Sequence, residues 1–200
     1  MTLTPARLLA GLAIALGGLA PFAGSPYRSA SVAIDIRALA AAVAREEDHV
    51  TAVELARWIR HRKPSLRIVD VRDTADFEAF HLPNAERASV EHVVTMPFRP
   101  QDTIVLYSQG GAHAAQAWVL LRTAGHPRVY FLRGGIDEWL EDVMAPAIAA
   151  DATAEERRAF ESVADLSRYF GGTPRELPPG ESPRSPARDL PAAAARRHGC

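Results

Sequence analysis

Apolar positions along the chain change their period several times, and each change marks an element. From Leu8 to Phe22 they are nearly continuous. Between Ser31 and Asp48, Ile36, Leu39, Ala40 and Val43 recur at helical spacing and a charged run closes the stretch, which predicts a short lead-in helix. Thr51 and Glu54 have the spacing of a capping box, so a helix is expected from Ala52 to about Arg62, stopped by Pro64. Leu66–Arg72 carries Ile68, Val69 and Val71 and reads as a strand entering the core. Asp73–Phe80 follows as a short helix with Phe77 and Phe80 on one side, and His81–Ala85 as a turn whose histidine holds the loop. Arg87–Val94 has the valines for a short strand and a helical turn; Pro97 and Pro100 bracket a loop.

The sharpest change comes at Thr103–Gly125. Ile104, Val105, Leu106 and Tyr107 make a buried strand, Ser108 follows at once, and Gln109, Gly110 and Gly111 form a tight loop. Helix formers begin at Ala112 and run to Gly125, with Pro127 just beyond. A small-residue loop between strand and helix turns backbone N–H groups toward one point above a helix N-terminus, a site suited to an anion. Arg128–Leu132 is another strand, Arg133-Gly134-Gly135 the turn out of it, and Ile136–Val143 a helix carrying Trp139. A second capping box, Thr153 with Glu156, opens a helix over Ala154–Phe170 with Gly171 as its cap. From Thr173 onward six prolines are interleaved with Arg, Ser and Ala, no apolar period survives, and a disordered tail is expected.

Composition narrows the function classes. Two hundred residues allow one domain with extensions, and a formal net charge of −1 supplies no global drive toward nucleic acid. The one cysteine, Cys200, excludes an intrachain disulfide and a cysteine-rich zinc site; no metal or cofactor is expected. Arg7 ahead of the Leu8–Phe22 run has the form of a secretory signal or uncleaved anchor, Pro21 and Ala23 being a poor cleavage match. The expected organisation is signal or anchor over 1–24, lead-in over 25–49, a compact domain over 50–146, an accessory helix over 151–171 and the tail over 172–200. Export to the periplasm or attachment to a membrane through the N-terminal segment follows, with a cytoplasmic protein as the alternative.

Three motifs in order resemble the signatures of rhodanese-like domains. Asp70-Val71-Arg72, then Phe77, then His81, Pro83 and Ala85 match the first, with Asn84 replacing a glycine. Ser108 to His113 falls on the active-site loop pattern C-x-x-G-x-R, and Gly134-Gly135 with Trp139 matches the closing G-G-x-x-x-W. The resemblance covers roughly Val50 to Val143. It implies an α/β fold with a mostly parallel sheet of about five strands, helices on both faces, and Ser108 at the carboxyl end of its strand.

In that family the loop cysteine takes sulfur from a donor and carries it as a persulfide. Here Ser108 stands in its place and His113 stands for the arginine. A hydroxyl is a weak nucleophile without a base and forms no stable sulfur–sulfur bond, so ordinary turnover is expected to be lost. The cradle survives, because its donors are the backbone of Gln109, Gly110, Gly111, Ala112 and His113. His113 adds charge when protonated, and Arg72 lies nearby if the family geometry holds. The expectation is a non-catalytic module binding a small anion or a protein partner. The rivals are an active sulfurtransferase of unusual chemistry, an inert relic of the loop, and, more remotely, a serine hydrolase using Ser108 with His113, for which G-x-S-x-G is half present. Cys200 on a flexible tail is a further source of the missing thiol.

Overall fold

The computed structural model describes residues 36–181. The apolar run at Leu8–Phe22, the start of the lead-in stretch, the end of the proline-rich tail and Cys200 lie outside the described residues. Five strands form one sheet: β1 (His49–Val50), β2 (Leu66–Asp70), β3 (Ala85–Arg87), β4 (Thr103–Tyr107) and β5 (Val129–Leu132), in the order β1-β5-β4-β2-β3. Every pairing is parallel, with Ile68 beside Val105 and Val105 beside Tyr130 at the centre.

The helices are α1 (Ile36–Ala44), α2 (Ala52–Arg60), α3 (Thr74–Ala79), α4 (Val90–Val93), α5 (Ala112–Thr123), α6 (Gly135–Trp139, continued by a wider turn over Leu140–Met144) and α7 (Ala154–Tyr169). Alternation along the strands sorts the core into two layers. Ile68, Val105, Tyr107 and Leu132 pack with Leu55 and Ile59 of α2, Trp139 of α6 and Leu166 of α7. Val69, Ile104, Leu106 and Val129 pack on the other face with Ala114, Ala117, Trp118 and Leu121 of α5 and Val93 of α4. A parallel sheet must be covered on both faces, and β4, buried at all five positions, is its centre.

Both capping boxes form: the side chains of Thr51 and Thr153 accept from the backbone N–H groups of Glu54 and Glu156, whose carboxylates accept from the cap N–H in return. Asn84 takes the left-handed conformation, φ +61, that its place in the turn requires. His81 donates locally from Nδ1 to the Phe77 carbonyl oxygen at 2.9 Å and stacks on the Phe77 ring.

Three short strands run against the sequence expectation. His49–Val50 pairs with Phe131–Leu132 at the sheet edge and is too short to show a period. Arg175–Leu177, expected to belong to a structureless tail, is β7 and pairs in parallel with β6 (Ala147–Ala149), with α7 as the crossover between them. The pairing is supplied by backbone groups, so prolines on either side of three residues do not prevent it.

Candidate functional site

Ser108 ends β4 at the carboxyl edge of the sheet and is 2% exposed. Its hydroxyl oxygen accepts from the Ala114 N–H at 3.4 Å, and its carbonyl accepts from the Ile136 N–H at 2.9 Å. Gln109 and Gly110 are exposed, and Gly111 turns the chain into α5 with φ +92, a conformation that suits glycine. The N–H groups of Gln109, Gly110, Gly111, Ala112 and His113 have no protein acceptor among the described residues. Five successive free donors at the start of a twelve-residue helix give the loop partial positive charge.

His113 is exposed, and its Nδ1 lies 3.2 Å from Oε1 of Gln116, on the next turn of the same helix. Among the described residues the Ser108 hydroxyl has neither a histidine nor a carboxylate partner. The geometry therefore does not pair Ser108 with a base.

Arg72 belongs to a different network. Its Nη2 donates to Oδ2 of Asp70 at 2.7 Å and to the Phe80 carbonyl at 2.6 Å, and its Nε donates to both Asp70 oxygens at 3.1 Å. Asp70 is wholly buried and the Arg72 side chain 8% exposed. Burial opposes the Arg72 charge, yet the Asp70 carboxylate outweighs it and the guanidinium pKa is raised. The same guanidinium lies over the Tyr107 ring, 5.7 Å from its centroid, and the Tyr107 hydroxyl accepts from the Leu82 N–H at 3.1 Å. Burial, with Asp70 beside it, drives the Tyr107 phenol well above its ordinary value and keeps it protonated. The Asp-Val-Arg motif thus ties β2, β4 and the turn after α3 together, and its arginine donates to that frame instead of to the loop.

Two residues outside the sequence-based site prove central to its shape. Gly135 has φ +62, and a Cβ there would stand 2.3 Å from the carbonyl oxygens of both Ser108 and Gln109. That contact lets the Ile136 N–H reach the Ser108 carbonyl. Asp137 accepts from the Gln109 side-chain amide, and its own N–H points to the Gln109 carbonyl at 3.4 Å. Burial raises the Asp137 pKa, partly offset by the Gln109 hydrogen bond and the Arg72 charge. The glycine pair was visible in the sequence as part of the closing motif; that it underlies the loop was not, because the contact joins residues remote in sequence.

Gly135→Ala is expected to destabilise the domain by about 2–3 kcal/mol, from the overlap with two backbone carbonyls and the left-handed conformation together. Denaturant unfolding of the variant measures it, and an unchanged midpoint would show that the two segments do not touch. A cavity of about 280 Å³ opens at the other end of β5, lined by His49, Trp118 and Arg122 among others, and takes no part in this loop. Among the described residues no group of side chains could hold a metal ion, and no helix is long and apolar enough to cross a membrane.

An all-parallel open sheet, covered on both faces and carrying a donor-rich loop at the carboxyl end of its central strand, defines an α/β protein of the class that places its site there. Residues 51–142 match the family model of the rhodanese-like domain, and this segment is a rhodanese-like domain. Similar solved structures include the rhodanese-like domain of an Anabaena sp. protein, at 29% identity over 46% of this chain and 71% of that one, TM-score 0.43. A single-domain sulfurtransferase of Saccharomyces cerevisiae is 19% identical over 46% of this chain and 88% of its own, TM-score 0.42. The human single-domain sulfurtransferase is 23% identical over 46% of this chain and 95% of its own, TM-score 0.41. No curated protein matches the sequence.

Proposed function

We propose that this rhodanese-like domain does not turn over sulfur and that its Ser108–His113 loop receives a small oxyanion, or an acidic group of a protein partner. The observation that carries this reading is the row of five successive N–H groups without a protein acceptor among the described residues, directly after a buried hydroxyl that has no base among them. The hydroxyl removes the persulfide chemistry and leaves the electrostatics that a thiolate would have used.

Asp137 sets the limit on affinity. A carboxylate hydrogen-bonded to Gln109 repels an arriving anion, so binding is expected to strengthen as pH falls through the raised Asp137 pKa. The sign for folding is the same. The folded state holds the Asp137 proton more tightly than the unfolded chain, so stability from this group is greatest at low pH and is lost as pH rises through the folded value. Sulfate or phosphate at millimolar concentration should raise Tm, and Asp137→Asn should enlarge the rise several-fold while flattening its pH dependence. A thermal-shift titration measures both; no stabilisation at any pH would leave the loop an inert closure of the sheet. Thiosulfate:cyanide turnover by the wild-type protein that is lost in Ser108→Ala would instead favour an active sulfurtransferase.

A further inference from the structure

The end of α2 and the turn after it carry a feature that the loop does not use. Arg57, Arg60, His61, Arg62 and Lys63 fall within seven residues, and no acidic residue follows until Asp70. Because α2 leads into β2, this ridge sits at the amino end of the parallel strands, the opposite end from Ser108. Arg60 is met by Asp165 of α7 at 2.6 Å. Arg57, Arg62 and Lys63 have no carboxylate within ion-pair distance among the described residues. In a chain of net charge −1 this is a local concentration of unneutralised cations.

The backbone under it is unusual. The helix closes with His61 N–H to the Arg57 carbonyl, Arg62 N–H to the Ile59 carbonyl and Lys63 N–H to the Trp58 carbonyl, and Arg62 has φ +51. That closing pattern ordinarily places glycine in the left-handed position, because a Cβ there is disfavoured. An arginine occupies it, so stability is given up where the side chain is a cation.

Aromatic rings accompany the charges. The Lys63 Nζ lies 4.4 Å from the centroid of the half-buried Trp58 ring, and the Arg60 Cζ lies 5.3 Å from that of Tyr169, which is 56% exposed. Cations on amphipathic rings at a protein surface match the boundary of a bilayer, where phosphates meet the charges and the rings settle among headgroups. A long polyanion fits less well, because the exposed Asp165 of α7 meets Arg60 and interrupts the row of cations on that side.

We propose that the ridge at Arg57–Lys63, with Trp58 and Tyr169, docks the domain on an anionic phospholipid surface. The docking is independent of the loop chemistry and of any membrane affinity of the N-terminal apolar run.

The test is cosedimentation of the full chain with vesicles rich in phosphatidylglycerol against pure phosphatidylcholine, at low and high salt. Partition onto the anionic vesicles is expected to be at least tenfold tighter and to fall with salt. Arg57→Gln with Arg62→Gln should weaken it about 25-fold, near fivefold for each cation removed. Arg62→Gly separates surface from fold: vesicle binding should drop about fivefold while Tm rises by about 2–4 °C. Equal partition onto both vesicle types, or an anionic preference that these variants leave unchanged, would overturn the proposal. So would duplex DNA binding more tightly than vesicles with the same residue dependence, or a lowered Tm in Arg62→Gly. Ser108→Cys should leave vesicle partition unchanged, so this surface and the loop fail separately.

Discussion

Ser108→Cys is expected to accept sulfur from thiosulfate, and the wild-type protein is expected not to. The substitution replaces one oxygen by sulfur at a position that is 2% exposed, directly after the central strand. The Ala114 N–H, which meets the Ser108 side-chain oxygen at 3.4 Å, and the start of α5 then meet a thiolate and stabilise it, with the unpaired N–H groups of Gln109 to His113 adjoining in sequence. The thiolate attacks the outer sulfur of thiosulfate, the sulfur–sulfur bond of the donor breaks, and sulfite leaves with its electron pair. The variant retains the persulfide, from which cyanide removes the sulfur as thiocyanate.

A gain of about 10²-fold over background is expected, the scale on which oriented donors act on a developing or resident anion. Full family activity is not expected, because His113 stands where the motif carries arginine and its ring bonds Gln116 instead of reaching Ser108. Intact mass after thiosulfate treatment reads the persulfide directly, and the experiment is run in a Cys200→Ser background so that the tail thiol contributes nothing. A folded Ser108→Cys protein that gains no sulfur would mean that the loop donors do not converge on position 108, and the anion-binding proposal would fall with it.

Asp70→Ala is expected to cost about 3–5 kcal/mol, the range for removing one partner of a buried ion pair. Asp70 is wholly buried and meets Arg72 through three side-chain contacts of 2.7–3.1 Å, while also accepting the Arg72 backbone N–H at 2.9 Å. Without it the guanidinium keeps its charge against the Tyr107 ring with the Phe80 carbonyl as its remaining hydrogen-bond acceptor among the described residues. Replacing the pair together, Asp70→Ala with Arg72→Met, should recover much of the loss, because the uncompensated charge is gone. Denaturant unfolding of the single and double variants measures both. A single variant within 1 kcal/mol of wild type would show that the ion pair is solvated and that the motif does not brace β2 against β4.

Much of the fold was legible because local rules agreed with it. The capping boxes at Thr51 and Thr153 mark helix starts by side-chain chemistry alone, and both form. Ile68-Val69 and Ile104 to Tyr107 are apolar on consecutive positions, as strands covered on both faces must be. What escaped were β1, β6 and β7, two or three residues each. Strands so short carry no period, and their hydrogen bonds come from a backbone that every residue shares.

The site divides along the same line. Sequence alone determined that an oxygen, not a sulfur, ends the central strand; that the loop after it is small and glycine-bearing; and that a helix begins behind it. Those are covalent identities and short-range preferences, carried by adjacent residues. Only the tertiary structure decided that Arg72 turns to Asp70, that His113 turns along its own helix, that Gly135 passes under the loop, and that Asp137 stands beside Gln109. Each of these depends on where a side chain or carbonyl from a distant segment arrives, and charge and shape at a site are sums over neighbours in space.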